Sequence, residues 1–157
     1  MLSTTSEYAL RALARLAELP PGEAVQAHQL ASDADIPANY LSKVLHSMRS
    51  IGILDAARGQ GGGYRLARPA NEIRLIEVVE LFEGIRARPE CFLGARHVCN
   101  DADPCSAHHM WRTVREKYIQ FLEETTVAGI SQRPGTRKSV RGAKQQAASP
   151  RKGGGKR

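Results

Sequence analysis

Between Ser6 and Leu19 the apolar side chains recur at helical intervals. Tyr8, Ala12, Leu16 and Leu19 form one stripe, with Ala9 and Leu13 beside it. Pro20-Pro21-Gly22 stops that helix. A short second helix is predicted over 25–33, with Val25 and Leu30 as its buried positions, followed by a turn at Asp33-Ala34-Asp35. Pro37 suits the first position of a third helix, where its missing N–H costs nothing. Leu41, Val44, Leu45, Met48 and Ile51 give that helix one apolar face, and Gly52 is placed to cap it. The opposite face offers Asn39, Tyr40, Ser42, Lys43, His46 and Arg49.

The period then changes. Ile53–Arg58 and Tyr64–Ala67 read as two short strands joined by Gly59-Gln60-Gly61-Gly62-Gly63, a hairpin that Pro69 and Asn71 end. Leu75–Phe82 returns to helical spacing. Residues 86–105 are irregular and hold all three cysteines. From about Ser106 to Thr126 a long helix is predicted, in which Trp111, Val114, Tyr118, Phe121 and Thr125 alternate steps of three and four, the seam of a helix lying along another helix. Beyond Gly129 no apolar period survives and Gly, Ser, Gln, Lys and Arg dominate, which predicts disorder. The expected fold class is mainly α with a small β-hairpin wing: a winged helix-turn-helix over 1–84, a cysteine-bearing loop over 85–105, a dimerisation helix over 106–128 and a disordered basic tail over 129–157.

Charge changes this picture less than its total suggests. The formal net charge is +7, yet nine of the 23 basic residues lie beyond Ser131 with no acidic partner. The remaining 14 face 16 acidic residues, leaving positions 1–130 at −2. Nucleic-acid binding by the folded part therefore has to be argued from motifs, while the tail is expected to add salt-sensitive, sequence-independent DNA affinity. No apolar run of 18 residues and no signal-peptide pattern is present, so a soluble, cytoplasmic protein with no membrane partner is expected. In a reducing cytoplasm an odd number of cysteines points to metal or redox chemistry rather than a disulfide framework.

Two helices joined by a tight turn, the second polar outward, form the arrangement that lays a recognition helix in the major groove of double-stranded DNA. Asn39, Ser42, Lys43 and His46 occupy the outward face near its N-terminal half, with side chains suited to base edges or phosphates. The glycine run is not a phosphate loop, which needs Gly-Lys-Ser/Thr entering a helix, because Gly63 leads into Tyr64-Arg65-Leu66. Tyr64 at the sixth position also breaks a dinucleotide fingerprint. A wing fits better: Gly61 and Gly62 at the tip allow close approach to a minor groove, and Arg58 and Arg65 flank it.

The segments LSTTSEYALRAL, IPANYLSKVLHSMRSIGIL and ARGQGGGYRLARP resemble the IscR/NsrR/RirA family of winged-helix repressors. The resemblance covers residues 1 to about 128, and the RGxGGGYRL stretch is highly specific. It implies a homodimeric transcriptional repressor bound to an imperfect palindrome. The family's wing arginine falls on Arg58 and its recognition-helix contacts on Asn39, Tyr40, Ser42 and Lys43. Ser42 and Lys43 lie where members vary, so the operator sequence does not transfer.

Cys91, Cys99 and Cys105 are spaced C-x7-C-x5-C. Three thiolates this close can bind zinc or an iron–sulfur cluster, and His97, His108 and His109 bring imidazoles nearby. The resemblance implies an iron–sulfur cluster, [2Fe-2S] or [4Fe-4S], with zinc as the alternative. It offers two fourth ligands: His108, three residues after the last cysteine, or Glu7 from the other subunit. His108 is preferred because it lies in the same short segment, and His97 and His109 are read as non-ligands. An enzyme is not expected: no C-x-x-C pair and no base beside a nucleophile is present. The competing reading is a zinc-stabilised or iron-handling protein without cluster-based sensing.

Overall fold

The structure, a computed structural model, describes residues 2–59, 62–86, 91–92 and 99–131. The element order is α1 (Thr4–Ala17), α2 (Ala27–Ala34), α3 (Ala38–Ser50), β1 (Leu54–Ala57), β2 (Gly63–Leu66), α4 (Leu75–Glu83), α5 (His108–Glu124) and α6 (Val127–Ser131). Helix α1 begins earlier than its apolar stripe because the Ser3 side chain caps it, accepting the Ser6 N–H at 3.2 Å. Its Ala9, Leu10, Leu13 and Leu16 are buried against α2, α3, α4 and α6, so α1 is the central post of the fold. The predicted face of α3 is the observed one: Leu41, Val44, Leu45 and Met48 are buried. Each such side chain stabilises the domain by ~1.5–3 kcal/mol.

Asp35, in the left-handed region at φ 54°, ends α2, and the Ile36 N–H donates to the Ala31 carbonyl at 2.9 Å. Val25 lies outside α2, contrary to the expected helix over 25–33. It pairs with β2 instead, donating its N–H to the Tyr64 carbonyl at 3.0 Å and accepting the Tyr64 N–H at 2.8 Å. The β1–β2 hairpin is antiparallel with Leu54 opposite Leu66, and this bridge makes Val25 a third short rung beside it. Gly52 takes φ 74° and closes α3 as predicted, with the Ile53 N–H reaching back to the Met48 carbonyl at 3.1 Å.

Helix α5 returns to the domain at its C-terminal end. Leu122 is buried, and Tyr118 and Ile119 pack against the core, whereas Met110, Val114 and Phe121 are exposed. The predicted seam therefore divides between two faces. Thr125 leaves the helix, and the chain clasps the entry to α4: Leu75 N–H to the Thr125 carbonyl at 3.0 Å and Val127 N–H to the Ile73 carbonyl at 2.9 Å. Helix α6 then lies on α1, so residues 129–131, assigned by composition to the tail, are helical. The remainder of the predicted tail lies outside the described residues. Among the described residues no helix is long and apolar enough to cross a membrane.

Candidate functional site

Helices α2 and α3 meet at the Asp35-Ile36-Pro37 turn, and α1 braces that turn. The Arg11 guanidinium donates to the Ala34 carbonyl and, at 2.9 Å, to the Asp35 carbonyl, and it lies 3.6 Å from Glu7. Asn39, Ser42, Lys43 and His46 are all exposed on the outward face of α3. Tyr40 differs from them. Its hydroxyl is 2.5 Å from Thr5 Oγ1 and its ring meets Tyr8 edge-on at 5.5 Å, so it orients α3 on α1 while 38% of its surface stays exposed.

The hairpin projects beside α3. Arg58 is exposed and makes no hydrogen bond or ion pair among the described residues, whereas Arg65 pairs across the strands with Asp55 at 3.6 Å. Gly61 lies outside the described residues. Gly62 has a packing reason of its own, since a Cβ there would lie 2.5 Å from the Ala57 carbonyl oxygen and 2.8 Å from that of Gly59. Gly63 has a stronger one: at φ 151° a Cβ would overlap the Val25 carbonyl.

The three cysteines converge although they are spread over fifteen residues. Their sulfurs lie within 4.8 Å of one another, with Cys91 and Cys105 Sγ atoms 3.4 Å apart. The Cys105 N–H donates to Cys99 Sγ at 3.4 Å, which favours the Cys99 thiolate. Burial and the neighbouring Cys105 and Cys91 thiols oppose it, and the balance leaves the Cys99 thiol above its ordinary range. His108 opens α5 one turn after Cys105, donating its N–H to the Cys105 carbonyl at 3.0 Å, and its Nδ1 lies 3.2 Å from Cys99 Sγ. Its other nitrogen, Nε2, is 2.9 Å from Asp101 Oδ1, which also accepts from Arg112 Nη1 at 2.7 Å. The His108 hydrogen bond and the Arg112 charge hold the Asp101 carboxyl below its ordinary value.

A cavity of about 140 Å³ joins these groups, lined by Cys91, Cys99, His108, Arg112, Arg115 and the paired rings of Phe92 and Trp111. Three clustered thiols and one imidazole nitrogen, with Cys91, Cys99 and His108 lining a small, partly aromatic cavity, are a donor set for an iron–sulfur cluster or a tetrahedral zinc ion. Glu7, the other expected candidate, sits on α1 beside Arg11. His97 lies outside the described residues, and His109 meets His108 edge-on at 5.3 Å. Sequence reasoning missed Asp101 and Arg112, because an exposed loop aspartate and a helix-surface arginine carry no spacing signature.

Comparison with known proteins agrees with this architecture. Residues 2–133 match the Rrf2 family, described as iron-dependent transcriptional regulators. The HTH-type transcriptional regulator NsrR of Bacillus subtilis is 31% identical over 129 residues, covering 82% of this chain and 88% of that one. Among solved structures, the oxidized form of Staphylococcus aureus CymR superposes with a TM-score of 0.69 at 23% identity, covering 87% of this chain and 99% of its own. T. potens IscR superposes at 0.65 with 22% identity, covering 82% and 84%. These two share the fold, a mainly helical chain with a two-stranded antiparallel hairpin. The family match spans all of the described residues, and the chain belongs to the Rrf2 family of helix-turn-helix transcriptional regulators, not to a family of enzymes.

Proposed function

We propose that this regulator is a homodimeric repressor whose hold on DNA is set by an iron–sulfur cluster bound at Cys91, Cys99, Cys105 and His108. The observation that carries the reading is the convergence of three sulfurs within 4.8 Å, with His108 Nδ1 turned toward Cys99 at 3.2 Å. An iron–sulfur cluster supplies a group that iron supply, redox state and nitric oxide all alter. His108 is favoured over Glu7 because its ring already faces the thiols within one chain.

On DNA, Asn39, Ser42, Lys43 and His46 meet the major groove and Arg58 enters the adjacent minor groove, with Arg65 and the glycine tip, Gly61 and Gly62, supporting the wing. Tyr40 acts mainly by fixing the angle of α3 on α1. The exposed stripe of Met110, Val114 and Phe121 on α5 is the dimer contact, so that two recognition helices face the halves of an imperfect palindrome. Residues 91–105 attach to the start of α5, so their conformation bears on the spacing of those helices. A coupling of ~1–3 kcal/mol changes DNA affinity ~5–150-fold.

The test is an absorption spectrum of the full-length protein purified without oxygen, with iron, sulfide and zinc assays, and a footprint at its own promoter. Visible cluster absorption with matching iron and sulfide is expected. Colourless protein with one zinc per chain overturns cluster sensing and leaves a zinc-stabilised repressor, and absence of a footprint overturns the regulatory reading.

A further inference from the structure

We infer that Asp101 is a positioning residue for the cysteine centre, holding His108 so that its Nδ1 lone pair points at the thiols. A carboxylate at this distance only accepts, so the 2.9 Å contact requires His108 Nε2 to carry the proton. A neutral imidazole protonated at Nε2 has its free lone pair on Nδ1, the nitrogen 3.2 Å from Cys99 Sγ. One hydrogen bond thus fixes both the tautomer and the ring's rotation.

Asp101 is itself held from two directions. Arg112, one turn along α5 from His108, donates to the same oxygen, Oδ1, at 2.7 Å. From the loop side, Asn100 Oδ1 accepts the Ala102 and Asp103 N–H groups, each at 2.9 Å, folding the backbone into a turn around Asp101. The side chain is 69% exposed, so removing it leaves the core untouched. Outer partners of this kind orient a ligating histidine, and removing one weakens metal binding ~10–100-fold.

This inference rests on His108 as fourth ligand but not on which metal group the site holds, so cobalt(II) serves as the probe. The reduced, metal-free full-length protein is titrated with Co2+ without oxygen, comparing wild type, Asp101→Ala, Asp101→Asn, His108→Ala and the Asp101→Ala/His108→Ala double variant. The expected results are a tetrahedral three-sulfur, one-nitrogen visible band in the wild type and a band shift in His108→Ala. Asp101→Ala binds ~10–100-fold more weakly. Asp101→Asn, whose amide oxygen still accepts from Nε2, recovers most of the affinity, and the double variant binds no worse than His108→Ala alone. The inference is overturned if the wild type binds no Co2+, if Asp101→Ala matches wild type, if His108→Ala leaves the band unchanged, or if the Asp101 effect persists without His108. Iron and sulfide assays on wild type fail separately from any of these outcomes.

Discussion

Gly63→Ala separates packing from DNA contact in the wing. At φ 151° the residue occupies backbone space that only glycine enters without strain, and leaving it there as alanine costs ~1–3 kcal/mol. The added Cβ also overlaps the Val25 carbonyl and lies 2.8 Å from the Gln26 amide nitrogen, both backbone atoms with no rotamer to escape by. Relief requires β2 to move away from Val25, which breaks hydrogen bonds of 3.0 and 2.8 Å. Each contributes ~0.5–1.5 kcal/mol. The expected loss is therefore ~2–6 kcal/mol, a large part of the ~5–15 kcal/mol that holds a domain folded. Gly52→Ala is the control, since its φ is 74° but a Cβ there meets nothing within 4 Å, and it should cost only the ~1–2 kcal/mol of a left-handed residue. Urea denaturation at one fixed protein concentration measures both, and hydrogen exchange at the Val25 and Tyr64 amides shows whether the bridge has opened. The reasoning is refuted if Gly63→Ala is no more destabilising than Gly52→Ala, or if those two amides stay protected.

Three further outcomes are expected. Arg58→Ala should weaken operator binding by ~1–3 kcal/mol in fluorescence anisotropy while leaving the urea midpoint unchanged, and a shifted midpoint would assign Arg58 a structural role instead. Burial alone would raise the pKa of Glu77. The Arg74 N–H at 2.9 Å and the Arg68 guanidinium at 2.7 Å outweigh it and hold the carboxyl below its ordinary 4.5. Its stabilisation is thus present above pH 4.5 and lost as pH falls through the lower folded value, so Glu77→Gln should flatten acid denaturation there, and an unchanged pH profile would contradict this. Deleting residues 132–157, with their nine basic side chains, should make DNA affinity less steeply dependent on salt, by ~0.9 in slope for each phosphate that the tail neutralises, and an unaltered slope would remove the tail from DNA binding.

The parts of the fold legible in the sequence are those fixed by local periodicity. Leu41, Val44, Leu45 and Met48 announce the buried face of α3 because every turn of that helix meets the same neighbours. Val25 misleads for the opposite reason: an apolar residue beside a helix reads as part of it, and the partner that draws it into an extended bridge, Tyr64, is thirty-nine residues away. The α6 clasp is hidden likewise, since Thr125, Thr126 and Gly129 look like a helix end, and the backbone groups of Ala70, Ile73 and Leu75 that bond this stretch lie about fifty residues back in the chain. In the cysteine centre the ligand-type residues stand out by chemistry. Asp101 does not, because its role depends on which nitrogen of His108 it meets, a geometric fact that spacing does not encode.

The clasp also has a mechanical consequence. Helix α5 is seated at its C-terminal end by Leu122 and by the Leu75–Thr125 and Val127–Ile73 backbone bonds, while its first turns carry the cysteine centre away from that seat. Seventeen residues make a rod ~25 Å long, so a pivot of ~5° at the clasp displaces the His108 end by ~2 Å. Run in reverse, a displacement of that size at the cysteines would become a turning moment on Ile73 and α4, which the clasp bonds to the end of the helix. On the function proposed above, the long helix would work as a crank: the cysteine centre has the long arm, and the helix-turn-helix domain has the short, stiff one.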